Sequence, residues 1–280
     1  MIGANKKRLL IDAGNTCIKW MLANDLALPE QQRCFYTSQT PIQQFERLLT
    51  SLQSSEVKGY AKDYAEIVMV SVLGESFNQQ AKEIALTFGK PLLQIKSSKQ
   101  LLGVSNAYEE AHKLGADRFV AMIGAYHLSN NQQKTKKACI IVDAGTATTI
   151  DAVNAKGDHL GGLILPGNEL CKLSLLKNTQ QLSKWGTSKN QEKPDCKLFS
   201  TNTADAIHSA SILGLSGAIE QISLNMEREL KTRNEDISVD RYLCGGSARI
   251  ISSYLKSDFL LQEDLVMQGL NIISEHKNDY

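Results

Sequence analysis

Apolar residues near the amino terminus form a short block that ends abruptly in polar and small residues. The block Leu-Leu-Ile at 9–11 leads directly into Asp12, and Ala-Gly-Asn-Thr follows at 13–16. Apolar and polar side chains then alternate over 18–22. An apolar block, a cluster of turn-forming residues and an alternating segment predict a buried strand, a tight turn and a second strand.

The same pattern recurs in the second half of the chain, at 138–153. The segment IDAGNT at 11–16 has a near copy in VDAGTA at 142–147. The two aspartates, Asp12 and Asp143, are 131 residues apart in a chain of 280 residues. A repeat at this distance indicates two related halves rather than the short units of a solenoid.

The remaining periodicity predicts an α/β protein with strands and helices in both halves. The first half shows a helix from Thr40-Pro41, a buried strand at 66–73, a helix from a cap at Ser76 to Gly89, and a strand at 91–95. The second half shows a strand and turns at 159–170, an irregular loop at 178–202, a long helix from near Thr203, a strand and helix start at 241–250, and a last helix at 264–274. We assign the two domains to 1–125 and 126–280.

Composition and charge exclude several classes of partner. Hydrophobic residues make up 42% and charged residues 22% of the chain, as in soluble globular proteins, and the formal net charge is +1. A net charge this close to zero does not indicate binding to nucleic acid or to an acidic membrane. No segment approaches the roughly 20 apolar residues of a membrane span. Asp12 interrupts the first apolar block too early for a signal peptide, so we expect a cytoplasmic protein.

The two turns at 12–16 and 143–147 contain residue types that suit a phosphate site. Asp, Asn, Gly and Thr are also common in ordinary turns, and one short match does not decide between these interpretations. A tight turn that contains glycine directs backbone N–H groups toward an anion. Because the motif occurs twice, we favour phosphate binding over an ordinary turn.

The side chains of the two turns fall into two chemical groups. Four of them can donate hydrogen bonds or supply positive charge to phosphate oxygens: Asn15, Thr16, Lys19 and Thr146. Asp12 and Asp143 would repel phosphate, and their carboxylates suit a cation or its water ligands. The chain contains no G-x-x-x-x-G-K-[ST] segment, so this is not a Walker P-loop.

A third candidate is the segment LGADRFVAMIGAY at 114–126, where Asp117 and Arg118 follow Gly115 at the start of an amphipathic helix. Such a pair is usually a surface ion pair or a helix-start charge. Beside a phosphate site, Asp117 can instead accept the proton of a hydroxyl that attacks the terminal phosphorus. Arg118 can then hold a carboxylate or a phosphate oxygen.

The segment CGGSA at 244–248 leaves two interpretations open. Its glycines permit close packing against a nucleobase or ribose. They are equally typical of an ordinary turn from a strand to a helix.

With these motifs in place, the sequence resembles the type III pantothenate kinases over nearly its whole length. That family belongs to the superfamily of sugar kinases, actin and the heat-shock ATPases. Five segments resemble the family's motifs in the family's order: DAGNTCIK at 12–19, GADR at 115–118, DAGTATTID at 143–151, GGLILPG at 161–167 and NTADAI at 202–207. Each segment is short, but five in this order are specific.

The resemblance implies a fold, an activity and an assembly. The fold would be α/β, with two ribonuclease-H-like (actin-like ATPase) domains and a cleft between them. The activity would be phosphorylation of pantothenate to 4′-phosphopantothenate by ATP, the first step of coenzyme A biosynthesis. Magnesium would accompany ATP, potassium or ammonium would be required, and the chain would form a homodimer.

The resemblance also implies roles for individual residues. Asp117 would be the general base, and Asp143 would bind the monovalent ion. The residues implied to bind ATP are Asp12, Ala13, Gly14, Asn15, Thr16, Cys17, Ile18, Lys19 and Thr146. The residues implied to bind pantothenate are Tyr108, Gly115, Ala116, Asp117, Arg118 and Thr203. Thr203 would act across the dimer interface.

One position departs from the family pattern. The family usually has a proline between the tyrosine and the G-x-D-R motif, and this chain has Ala111 there. The loop that carries Tyr108 is therefore the part of the implied site that the sequence defines least.

Two other functions are compatible with the motifs. One is another small-molecule kinase or a phosphatase of the same superfamily. The other is a nucleotide-binding regulatory protein that uses ATP as a conformational switch. The GADR motif at 115–118 favours chemistry over a switch, because it supplies a base beside the phosphate site.

Overall fold

The computed structural model describes residues 7–23, 32–36, 38–54, 64–131, 135–178, 196–233 and 236–276. The chain divides into two compact units. The first unit comprises 1–128 together with 264–280, and the second comprises 129–263. The loop predicted at 178–202 lies mostly at 179–195, outside the described residues.

Strands and helices alternate along the described segments. The strands are β1 (Lys7–Ala13), β2 (Cys17–Ala23), β3 (Gln32–Phe35), β4 (Tyr64–Ser71), β5 (Leu92–Ile95), β6 (Gln100–Leu101), β7 (Val104–Ser105), β8 (Ala138–Ala144), β9 (Ala147–Val153), β10 (His159–Pro166), β11 (Val239–Cys244) and β12 (Leu260–Leu261). The helices are α1 (Pro41–Gln53), α2 (Glu75–Thr87), α3 (Ala116–Asn130), α4 (Asn168–Asn178), α5 (Thr203–Arg233), α6 (Ala248–Ser252) and α7 (Leu265–Glu275). A short 3-10 helix covers Ala111–Lys113.

Each unit contains a five-stranded sheet, and the two sheets have the same topology. The first has the order β3-β2-β1-β4-β5, in which β1, β4 and β5 are parallel and β2 runs antiparallel to both of its neighbours, β1 and β3. The second, β10-β9-β8-β11-β12, repeats this order and these directions. Asp12 pairs with Lys19, and Asp143 pairs with Thr149, at equivalent strand ends. The predicted α/β chain with two related halves is confirmed.

The segment 9–11 of strand β1 is apolar at every position because both faces of the strand are buried there. Leu9 and Ile11 belong to a core cluster with Phe45 of α1 and Phe77 of α2. Leu10 points to the opposite face and is also fully buried. A strand covered on both faces reads as a continuous hydrophobic run, as expected for a parallel strand in an α/β sheet.

The N-cap predicted from the sequence is correct for α1 but not for α2. Thr40 caps α1 in a capping box with Gln43, as its sequence predicts. The predicted cap of α2 at Ser76 is wrong. The helix begins at Glu75 after Gly74, whose φ of +86° is a conformation that favours glycine.

Helix α7 packs in the first unit, although the sequence-based boundary assigned it to the second domain. Its Gly269 lies so close to α3 that a Cβ there would be 2.1 Å from the carbonyl oxygen of Val120. A Cβ on Gly124 of α3 would lie 2.7 Å from the carbonyl oxygen of Leu265. Two facing glycines let these helices approach at the backbone, a contact that chain order does not reveal.

Candidate active site

The first phosphate motif forms the turn between β1 and β2. Asn15 and Thr16 are exposed at its tip. Asp12, only 4% exposed, faces Lys19 across the hairpin, and Lys19 Nζ lies 2.8 Å from Asp12 Oδ2. A buried carboxylate needs such a partner. The ammonium group of Lys19, which the sequence predicts to bind phosphate, therefore also forms an ion pair with Asp12.

Tyr36 holds this turn in place, a role that sequence reasoning missed. Its backbone N–H donates to the carbonyl of Thr16 over 3.2 Å, and its hydroxyl donates to the carbonyl of Gly14 over 3.0 Å. Burial raises the pKa of Tyr36 above its usual value, so the hydroxyl remains a donor in alkaline solution as well as at neutral pH. Only the pairing of β3 with β2 brings Tyr36 here, and no local motif signals it.

The second phosphate motif forms the equivalent turn between β8 and β9. The N–H of Gly145 donates to the carbonyl of Ala147 over 3.1 Å, and Thr146 is exposed at the tip. Gly167, at the end of the GGLILPG segment, donates its N–H to the carbonyl of Thr146 over 3.0 Å. A Cβ on Gly167 would lie 2.3 Å from the carbonyl oxygen of Gly145, so only glycine fits there.

The glycine-rich segment after β11 packs against the same turn. Gly245 has φ +97°, and a Cβ on it would lie 2.4 Å from Asp143 Oδ1 and 2.6 Å from the backbone of Ala144. Ser247 donates its N–H to the carbonyl of Ala144 over 2.9 Å and its hydroxyl to Asn168 Oδ1 over 2.8 Å. Of the two interpretations, the strand-to-helix turn accounts for the glycine, because the chain itself fills the space beside it.

Asp143 is consequently a half-buried carboxylate surrounded by backbone. A Cβ on Gly145 would lie 3.5 Å from Asp143 Oδ1, and a Cβ on Gly245 would lie only 2.4 Å from the same atom. Oxygen ligands from a carboxylate and from backbone carbonyls suit a hard cation. The chemistry of Asp143 therefore fits a bound cation.

The GADR segment forms the start of α3. The helix begins at Ala116, and Asp117 Oδ1 accepts a hydrogen bond from the N–H of Arg118 over 2.8 Å. A Cβ on Gly115 would lie 2.7 Å from Asp117 Oδ1. The glycine of the motif is therefore the residue that leaves room for the carboxylate.

Arg118 joins this segment to Tyr108. Its side chain is buried, at 8% exposed, and Arg118 Nη1 donates to the hydroxyl of Tyr108 over 3.1 Å. The guanidinium carbon also lies 5.8 Å from the centre of the Tyr108 ring, within range of a cation–π contact. Five of the implied pantothenate-binding residues, all but Thr203, thus form one group in the first unit.

Asn106 holds the Tyr108 loop, which lacks the family's proline. Tyr108 donates its N–H to Asn106 Oδ1 over 2.9 Å. Asn106 Nδ2 donates to the carbonyls of Ala111 and Ser98 over 3.0 and 3.2 Å. Asn106 is 2% exposed, so these hydrogen bonds replace those that water would make. Sequence reasoning missed this residue, although it lies two positions before the tyrosine.

Thr203 lies in the second unit, at the first position of α5. The cap of the helix is the preceding residue, because Asn202 Oδ1 accepts the N–H of Asp205 over 2.9 Å. The side chain of Thr203 is half-buried and is not needed for the cap. The predicted start of this long helix near Thr203 is confirmed.

The described residues lack two classes of feature. None of their helices is long and apolar enough to cross a membrane. They also contain no cluster of three or more His, Cys, Asp or Glu side chains that would hold a metal ion.

Solved structures support the fold class. The chain superimposes on a crystal structure of MreB5 of Spiroplasma citri bound to AMPPNP with a TM-score of 0.53, at 10% identity. The match covers 98% of this chain and 97% of that chain. The predicted fold of two actin-like ATPase domains is confirmed at the level of fold class.

Comparisons of sequence identify the family. The chain is 32% identical to a type III pantothenate kinase of Janthinobacterium sp. (strain Marseille), over 95% of this chain and 96% of that protein. It is 31% identical to one of Herminiimonas arsenicoxydans, over 96% and 97%. The family model for type III pantothenate kinase matches residues 8–225. The chain that carries these two hairpins and the GADR segment belongs to the type III pantothenate kinase family.

Proposed function

We propose that this chain transfers the terminal phosphoryl group of ATP to the primary hydroxyl of pantothenate, giving 4′-phosphopantothenate and ADP. The observation that carries the proposal is the group formed by Asp117, Arg118 and Tyr108 at the start of α3. In a chain of this family, the group combines a candidate base with a candidate anion-binding guanidinium. The product would enter coenzyme A biosynthesis.

Asp117 is the residue we assign to proton transfer. Its Oδ1 accepts the backbone N–H of Arg118, and the several lone pairs of a carboxylate also suit it to accept a substrate hydroxyl. As the proton passes to Asp117, the hydroxyl oxygen bonds to the γ-phosphorus and the bond to the β-phosphate oxygen breaks. Arg118, whose guanidinium suits a carboxylate, would orient the anionic end of pantothenate.

The two hairpin turns are the parts we assign to ATP. Backbone and side-chain donors of the segment 12–19, which is exposed at Asn15 and Thr16, and the exposed Thr146 would bind the phosphate oxygens. Magnesium would be held by the phosphates and water, with the carboxylate of Asp12 in the first turn, since this ion usually keeps most of its water ligands. The phosphoryl transfer itself then depends mainly on positioning and charge.

Asp143 is the residue we assign to a monovalent cation. We expect turnover in sodium-only buffer to be low and to rise about tenfold or more with potassium or ammonium, because ions of different size fit the oxygen ligands of one site unequally and a contact to a charged group contributes about 1.5–3 kcal/mol. Asp143→Ala should lose this response, and Asp236→Ala, at an exposed position, should keep it. Initial rates in the three chloride salts at constant ionic strength test this. Equal rates in all three salts would contradict the assignment.

A homodimer is the assembly we propose. Several large apolar side chains of β10 and α4 are 43–62% exposed: Leu163, Ile164, Leu170 and Leu173. Large apolar side chains that are exposed in one chain are candidates for burial at a protein interface. On α5, Gly214 and Gly217 are exposed, and a Cβ on either would meet nothing within 4 Å. A second copy of the chain would cover these surfaces and bring its Thr203 to the pantothenate site.

The test of the proposed function is ADP release by the purified chain with ATP and magnesium, with and without pantothenate. We expect release to depend on pantothenate and a phosphorylated product to appear by mass spectrometry. A regulatory nucleotide-binding protein would release little ADP in either case. Another small-molecule kinase would respond to a different alcohol and not to pantothenate, which would overturn the proposal.

A further inference from the structure

The first unit contains a cavity of about 420 Å³ beside the GADR segment. This volume falls in the range of small-molecule sites, roughly 300–1,000 Å³. Polar side chains contribute much of its lining: Ser71, Glu75, Asn78, Gln94, Lys96 and Ser97. A cavity with such walls suits a polar occupant.

The cavity lies beside the GADR segment and beside the strand that carries the first phosphate motif. Gly115 and Ala116, directly before Asp117, line it on one side. Ser71 and Val72 line it on another, where β4 ends beside β1. Ser71 pairs with Ala13, and Val72 donates its N–H to the carbonyl of Ala13 over 3.2 Å. The cavity therefore borders the end of the first phosphate strand as well as the candidate base.

Asn78 of α2 is a lining residue that neither motif explains. Its side chain is only 7% exposed. Its backbone N–H donates to Gly74, but within the described part of the chain its side-chain Oδ1 is buried and accepts no hydrogen bond. The large majority of buried side-chain polar atoms have a hydrogen-bond partner. Because Asn78 lines the cavity, its unpaired side-chain oxygen is a candidate acceptor for a donor group of the molecule that occupies the cavity.

We propose that Asn78 is a specificity-determining residue for the acceptor substrate. Its side-chain carbonyl accepts a hydrogen bond from a non-reacting donor of pantothenate, either the second hydroxyl or the amide N–H. This inference rests on the proposed function, which assigns the reacting hydroxyl to Asp117 and so leaves these two donors. A site built to pair a substrate donor also discriminates strongly against analogues that lack it.

Asn78→Ala and Asn78→Leu test the proposal in steady-state kinetics. We expect the KM for pantothenate to rise about three- to tenfold, with the KM for ATP unchanged, because one hydrogen bond to the acceptor is lost. Asn78→Leu should melt no lower than the wild type, since it replaces an unsatisfied buried amide with an apolar side chain of similar size. Gln79→Ala, at an exposed amide on the same helix, is the matched control.

Two analogues identify the donor and separate this role from a structural one. One lacks the second hydroxyl, and the other has an ester oxygen in place of the amide N–H. The wild type should discriminate against one analogue, and both Asn78 variants should lose that discrimination. Unchanged discrimination, or an equal rise in both KM values, overturns the role of Asn78 while leaving the kinase assignment intact. Absence of pantothenate-dependent turnover in the wild type overturns both.

Discussion

Asp117→Asn is expected to lower kcat for pantothenate phosphorylation by about 10²–10⁴-fold, the usual contribution of a general base. Asparagine is nearly the same size as aspartate but cannot take up the proton of the attacking hydroxyl. Its Oδ1 can still accept the N–H of Arg118, as Asp117 Oδ1 does over 2.8 Å. The start of α3 should therefore keep its geometry, and the KM for ATP should change little.

The control for Asp117→Asn is the same chemical change at Glu109→Gln, an exposed carboxylate eight residues earlier. That variant should retain wild-type turnover. Circular dichroism and the melting temperature of both variants should match the wild type. A purified Asp117→Asn protein with near-normal kcat would show that the proton goes elsewhere.

Much of the fold could be predicted because the sequence repeats its own pattern. The block at 9–11 and its counterpart at 139–142 are apolar on both faces, and each ends in an aspartate followed by a turn. The register places these aspartates at equivalent strand ends. The placement of α7 could not be predicted, since it depends on the close approach of Gly124 and Gly269, which are distant in the chain.

Part of the candidate site could likewise be predicted from short sequence segments, whereas the rest depends on contacts between distant parts of the chain. The GADR segment is local, so its glycine, carboxylate and guanidinium could be found together in the sequence. Tyr36 and Asn78 reach their positions only through the pairing of β3 and the packing of α2. The Lys19–Asp12 pair also depends on hairpin register, which makes Lys19 a partner of a buried carboxylate as well as a phosphate candidate.

Two inactive variants are expected to restore activity when they share a dimer. If Thr203 of one protomer completes the pantothenate site of the other, a heterodimer of Asp117→Asn and Thr203→Glu chains contains one site with both native residues. About half of the wild-type turnover per dimer should return, because a two-fold dimer has two equivalent sites. Thr203→Glu opposes an anionic substrate with a carboxylate, yet glutamate is favourable in the first turn of a helix, so α5 should still form.

The decisive control places both substitutions on one chain and pairs it with a wild-type chain. With shared sites, each site of that heterodimer carries one substitution, so turnover should be close to background. With sites built within single chains, the wild-type protomer should keep its activity, about half of the total. Heterodimers purified through two different affinity tags and verified by native mass spectrometry make the comparison quantitative. Suppose that the heterodimer of the doubly substituted and wild-type chains turns over, and that the heterodimer of the two single variants does not. This result would show that Thr203 and Asp117 act within one chain.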